Sequence, residues 1–161
     1  MENNELPRLL GRLSFTAGLP SQTVTELAAI STHQHVAAGQ VVFREGDECQ
    51  SLFLIAKGRV VLDMRVPGRE DMRILSLGAG DMLGWSAFIG EGRMTATART
   101  LDDCELVVAS APQLLALCQD RPDIGYGLMR HLALALSKRL VATRLQLLDL
   151  FAQPDTRQRS G

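Results

Sequence analysis

The sequence predicts a mainly β domain, a small roll or barrel, flanked by helices and closed by one long helix at its C-terminal end. Three observations predict it. Between His33 and Ser110 the chain breaks into short aliphatic runs separated by glycines, the pattern of an all-β roll. Apolar residues before residue 31 recur at helical spacing instead. After Pro122 an apolar periodicity continues for about 30 residues, or about 45 Å at 1.5 Å per residue, longer than a small domain needs. The expected organisation is a helical lead-in over 1–31, a roll over 32–120 containing a glycine-rich corner at 78–99, a long helix over 121–152, and a polar tail over 153–161.

In chain order, residues 5–13 and 20–30 are predicted as two short helices around the Gly18-Leu19-Pro20 break. Ser21 is the expected N-cap of the second, with Val24, Leu27 and Ile30 following at helical spacing. The β-rich part contains HQHVAAGQVVFREGD, SLFLIAKGRVVLDMRV, MRILSLGAGDMLG and DCELVVAS. Gly39, Gly46, Gly58, Gly78 and Gly80 are expected to serve its turns. A helix over 111–119 pauses at Asp120-Arg121-Pro122-Asp123 and resumes over 123–152, with Pro122 near the first turn.

The stretch from 78 to 99, GAGDMLGWSAFIGEGRMTATAR, organises the rest. Gly80-Asp81 makes a turn, Gly84 permits a close approach, and 85–89 suits one helical turn. Free amides at such a strand-to-helix corner attract an anion. The alternating segment from Met94 to Arg99 then reads as a strand running back past the corner. This stretch resembles the phosphate-binding cassette of the cyclic-nucleotide-binding domain family, known from catabolite activator proteins and regulatory subunits of cAMP-dependent kinase. The order GQVVFREGD, SLFLIAKGRV, LGAGD extends the resemblance to about two-thirds of the chain. It implies a cyclic-nucleotide-binding-like β-roll, a jelly-roll type of double-stranded β-helix, with a long C-terminal dimerisation helix.

In the family a cassette Glu grips the ribose hydroxyl and an Arg neutralises the phosphate. The resemblance places Gly84 at the cassette Gly, Ala87 at its Ala and Thr95-Ala96-Thr97 on the small-residue strand; Trp85 stands at the Glu position and Met94 at the Arg position. Both polar grips are absent. Strand parity sets Arg93 with Thr95 and Thr97 on the face opposite Met94, so Arg93 replaces the cation only through a bulge beside Gly92. Losing a buried charge-assisted contact costs about 2–5 kcal/mol, or about one and a half to three and a half decades of affinity. Ligand contacts, where they persist, are expected from Gly84, Trp85, Ser86, Ala87, Arg93, Met94 and Thr95. A polar pair from the long helix, Thr143 and Arg144, is implied by the resemblance.

No cofactor is expected; a cyclic nucleotide or another small anionic effector is the ligand such a corner takes. Trp85 and Met94 filling the nucleotide's space gives the alternative of a dimeric adaptor with a plugged pocket. Catabolite-activator-like regulators continue into a helix-turn-helix domain where this sequence ends. Direct DNA binding is therefore not expected, unless the chain is an effector domain cut from such a regulator.

The long helix carries two apolar stripes. Leu128, Leu132, Leu136, Leu140 and Leu147 form one, expected to face the chain's own core. Leu134, Val141, Leu145 and Leu148 form the other, which wants a second copy of the helix or another protein partner. Lys138, Arg139, Arg144 and Asp149 interrupt the run and exclude a transmembrane span.

Composition excludes other classes. A formal net charge of −1 over 161 residues gives no broad nucleic-acid or acidic-lipid footprint. Cys49, Cys104 and Cys118 are unpaired in spacing and no secretory segment opens the chain, which suits the cytoplasm. His33-Gln34-His35 raises a cupin-like metal enzyme as a minority alternative; the nearby Glu such a site needs is missing, His131 is remote, and two solvent-facing histidines are the plainer expectation. Ser14, Ser21 and Ser86 have no motif-placed His and acid, and Glu70-Asp71 and Asp102-Asp103 suit solvated turns, so no catalytic constellation emerges.

Overall fold

The computed structural model of the chain describes residues 5–152. The predicted tail over 153–161 lies outside the described residues. Two helices, α1 (Glu5–Gly11) and α2 (Ser21–Ala29), flank a 3-10 turn at Ser14–Thr16. Eight strands follow: β1 (Ser31–Val36), β2 (Val41–Phe43), β3 (Ser51–Lys57), β4 (Val60–Met64), β5 (Met72–Leu77), β6 (Met82–Leu83), β7 (Thr97–Thr100) and β8 (Cys104–Ser110). One helical turn, α3 (Ser86–Ile89), sits between β6 and β7, and α4 (Ala111–Asp120) and α5 (Pro122–Ala152) complete the described chain.

The strands form two antiparallel four-stranded sheets, ordered β1-β8-β3-β6 and β2-β7-β4-β5. Strand β3 reads as a nearly continuous apolar run because both of its faces are covered. Leu52 and Leu54 point outward to the helices, while Phe53 and Ile55 point into the roll. Strand β8 divides in the same way, with Val107 and Ala109 outside and Cys104 and Leu106 inside. Period-two alternation thus creates two cores on one sheet. The outer core gathers Leu10, Phe15, Leu27, Leu114, Leu128 and Leu132 against the sheet. The inner one fills the roll with Phe43, Phe53, Val60, Leu83, Met94 and Leu106.

Local details depart from expectation in three places. Helix α2 begins at Ser21 with Pro20 before it, so Ser21 lies inside the first turn and caps nothing. Strand β7 starts at Thr97, because residues 93–96 are held by the opposite loop: the Gly46 amide donates to the Met94 carbonyl at 2.7 Å, and the Met94 amide donates to the Asp47 carbonyl at 2.9 Å. On α5, Ile124, Leu128 and Leu132 are buried, but Leu140 and Leu147 are exposed rather than core-facing. The helix has by then run past the body of the domain. Gly125 brings its N-terminal end close to α4, where a Cβ would lie 2.9 Å from the Cys118 carbonyl.

The corner between β6 and α3 depends on Gly84. Its φ is +75°, and a Cβ there would meet the Ser51 carbonyl at 2.8 Å and the Phe53 ring at 3.2 Å. An L-residue is opposed by backbone strain and by a rigid neighbour at once. Gly84→Ala is expected to destabilise the fold by about 2 kcal/mol or more, read as a lowered urea midpoint; an unchanged midpoint would show that the corner does not constrain the roll.

Candidate functional site

The corner residues lie around the inner core as alternation dictates. From Glu91 to Ala98 burial alternates, with Met94, Ala96 and Ala98 buried and Arg93 and Thr95 exposed. Met94 is 3% exposed and packs within the roll. The Ser86 hydroxyl points at its sulfur across 3.9 Å. Arg93 does not move in to supply a cation. Its guanidinium donates to Glu48 at 3.2 Å and to the Gly46 carbonyl at 3.2 Å on the outer surface. Arg93 thus lies on the outer face of its segment, as parity requires.

Trp85 departs from the expected plug. It precedes α3 in helical conformation, and its half-buried indole packs against the outer core while also lining the cavity. Met94 therefore fills the roll, with Phe43, Leu62 and Leu83 beside it. The space left is about 20 Å³. That is room for about one water, whereas a ligand pocket needs about 300 Å³ or more. Two corner amides are also committed internally, since those of Ala87 and Phe88 donate to the Gly84 and Trp85 carbonyls at 3.1 and 3.0 Å.

The long helix contributes a different residue from the expected pair. The Thr143 hydroxyl donates to the Arg139 carbonyl of its own helix at 2.8 Å, and Arg144 is exposed. Arg139 lines the cavity instead and donates to the Met82 carbonyl at the start of the corner. It lies about 140° around the helix from Arg144, at ~100° per residue. Burial pushes the Arg139 guanidinium below its ordinary value, with the Asp81 charge acting against the shift. Among the described residues no carboxylate lies within ion-pair distance of it. A signal for it was present in the sequence: Arg139 follows Leu128, Leu132, Ala135 and Leu136 on the buried stripe, where a charge is out of pattern. Beside it, Ala142 packs against the inner core, so α5 covers the mouth of the roll.

Other candidates resolve more simply. His33 is not solvent-facing; its Nε2 lies 3.3 Å from a Glu105 carboxylate oxygen contributed by β8, and its ring sits 5.0 Å from that of His35. Among the described residues no three His, Cys, Asp or Glu side chains are placed to hold a metal. His131 holds α5 to the lead-in, with its ring nitrogens 3.0 and 2.8 Å from the Gly127 and Ala17 carbonyls. Burial pushes the Cys104 and Cys118 thiols up, with Asp102 adding to the effect at Cys104, so neither is poised as a thiolate. No helix among the described residues is long and apolar enough to cross a membrane.

Comparison with known proteins agrees with this architecture. The cyclic nucleotide-binding domain family profile matches residues 33–121, more than half the chain. The chain is 31% identical over 121 residues to the cyclic AMP receptor protein of Thermus thermophilus, covering 75% of this chain and 54% of that protein. It is 29% identical over 146 residues to a CRP-like cAMP-activated global transcriptional regulator of Mycobacterium tuberculosis, covering 90% of this chain and 63% of the relative. The chain thus spans less than two thirds of the length of these relatives. A solved cyclic nucleotide-binding domain from Methylobacillus flagellatus shares the fold with a TM-score of 0.80 at 19% identity, over 96% of this chain and 86% of that one. With the two-sheet roll, the Gly84 corner and the covering α5 in place, the chain belongs to the cyclic nucleotide-binding domain family.

Proposed function

We propose that the chain is a non-enzymatic regulatory module of this family whose roll is filled by its own side chains, so that it binds cyclic nucleotides weakly or not at all. The observation that carries the reading is the cavity of about 20 Å³ behind Gly84, with Met94 in place of a cation. A cyclic nucleotide entering it must expel Met94 and leave its phosphate without a charged partner inside the roll. The buried thioether and its neighbours favour the closed state by apolar burial, about 1.5–3 kcal/mol for a side chain of this size.

The module acts as an adaptor through α5. Past the body of the domain this helix carries exposed Leu140, Val141, Leu145, Leu147, Leu148 and Leu150, between 51% and 63% exposed. Leu134, on the same helix, is also exposed. A second copy of α5 packed about a two-fold axis covers these side chains, and the bond from Arg139 to the Met82 carbonyl ties helix position to the corner. A protein partner presenting an apolar helix competes for the same surface.

Titration with cAMP and cGMP under thermal unfolding tests the closed roll. A ligand at a hundred times its dissociation constant stabilises a fold by about 2.7 kcal/mol; a flat response to both is expected here, and a saturable rise overturns the reading. Trp85→Glu with Met94→Arg is expected to lower the melting temperature without ligand, since it buries an unpaired charge, and to recover stability with cAMP. Light scattering tests the pairing: the chain is expected at the mass of two copies, and Leu145→Glu with Leu148→Glu at the mass of one.

A further inference from the structure

A second and much larger cavity, about 500 Å³, lies outside the roll, between α5, the Ser14–Thr16 turn and the β5–β6 turn. We propose that this cleft binds a small organic anion with an apolar body, a carboxylate of aliphatic character, held at its charged end by Arg139 and Lys138.

The size falls within the range of small-molecule sites, and the walls are mostly apolar, with Phe15, Leu75, Leu77 and Ala135 among them. Arg139 is placed between the two cavities and lines both. Its guanidinium has five N–H donors, one of which goes to the Met82 carbonyl; among the described residues no ion-pair partner is within reach. A half-buried cation in that condition is stabilised by an arriving anion more than an exposed one would be. Lys138 adds a second positive charge on the same rim.

Of the other polar side chains lining the cleft, those of His131, Asp81 and Ser14 already have hydrogen-bond contacts, and Ser76 is exposed on β5. Both His131 ring nitrogens face backbone carbonyls. An Asp81 carboxylate oxygen accepts from the Gly78 amide at 2.9 Å, and the Ser14 hydroxyl donates to the Gly80 carbonyl at 3.2 Å. What remains for a ligand is the Arg139 and Lys138 corner against a greasy wall, with two cations there against the one carboxylate of Asp81 that also lines the cleft. Because the same guanidinium ties α5 to the corner of the roll, an anion that draws it outward weakens that tie. The cleft thereby gives the module an input independent of the closed nucleotide pocket.

Octanoate supplies both charge and body, inorganic phosphate charge alone, and 1-octanol body alone. The test is amide chemical-shift titration of the whole chain with each. Octanoate is expected to bind saturably, with shifts centred on Ser76, Gly80 and Ala135, and both controls to bind at least ten-fold more weakly. Arg139→Gln is expected to weaken octanoate at least ten-fold, and Lys138→Gln, on the exposed rim, several-fold. The proposal is overturned by the absence of saturation, by shifts confined to the exposed leucines beyond Leu140, by equal binding of 1-octanol, or by unchanged affinity in Lys138→Gln should Arg139→Gln not fold.

Discussion

The constraint on which the rest depends is that β3 and β8, the inner strands of the β1-β8-β3-β6 sheet, are buried on both faces. Each residue of β3 and β8 must commit to one of two cores, so a shift of one position exchanges every inward side chain for an outward one. With Phe53, Ile55 and Leu106 inside and Leu52, Leu54 and Val107 outside, the register is strongly specified. The β3–β6 pairing, Phe53 with Leu83 and Leu54 with Met82, carries that register to the edge of the glycine corner. Gly84 then begins where the Ser51 carbonyl and the Phe53 ring leave space for a hydrogen but not a methyl group.

Around that fixed corner, Met94 and Trp85 take unequal places. Met94 lies on the inward parity of its segment and becomes part of the inner core. Trp85 stands at the start of α3 and sends its indole to the outer core. The roll is therefore closed from one side, by a thioether and the rings and leucines around it, rather than from two. Arg93 is held outside by Glu48, on a loop whose backbone is itself bonded to residues 92 and 94. The cation nearest the cavity comes from α5 instead.

Helix α5 does two kinds of work along its length. Its first half belongs to the outer core through Ile124, Leu128 and Leu132, and its middle covers the roll with Arg139 and Ala142. Its last turns touch little of their own domain and leave leucines on more than one face uncovered. A helix anchored at one end and apolar at the other is suited to carrying a positional change from the domain to whatever packs on it. The Arg139 bond to the Met82 carbonyl adds a polar tie to the apolar packing that joins the helix to the roll.

Much of this was legible in the amino-acid order itself. Glycine-separated runs indicated the strands, the leucine spacing indicated the long helix, and alternation alone placed Met94 inward and Arg93 outward. The proposed loss of both nucleotide grips rests on the residues the cassette resemblance places at 85 and 94. What tertiary structure decided were the meetings between distant segments: Glu105 beside His33, the Trp85 indole on the outer core, and Arg139 against a carbonyl 57 residues earlier in the chain. Periodicity reports which face a side chain takes on its own element, because that depends on local backbone geometry. It does not report what the face will meet or where a helix outruns its domain, because those depend on how whole elements pack.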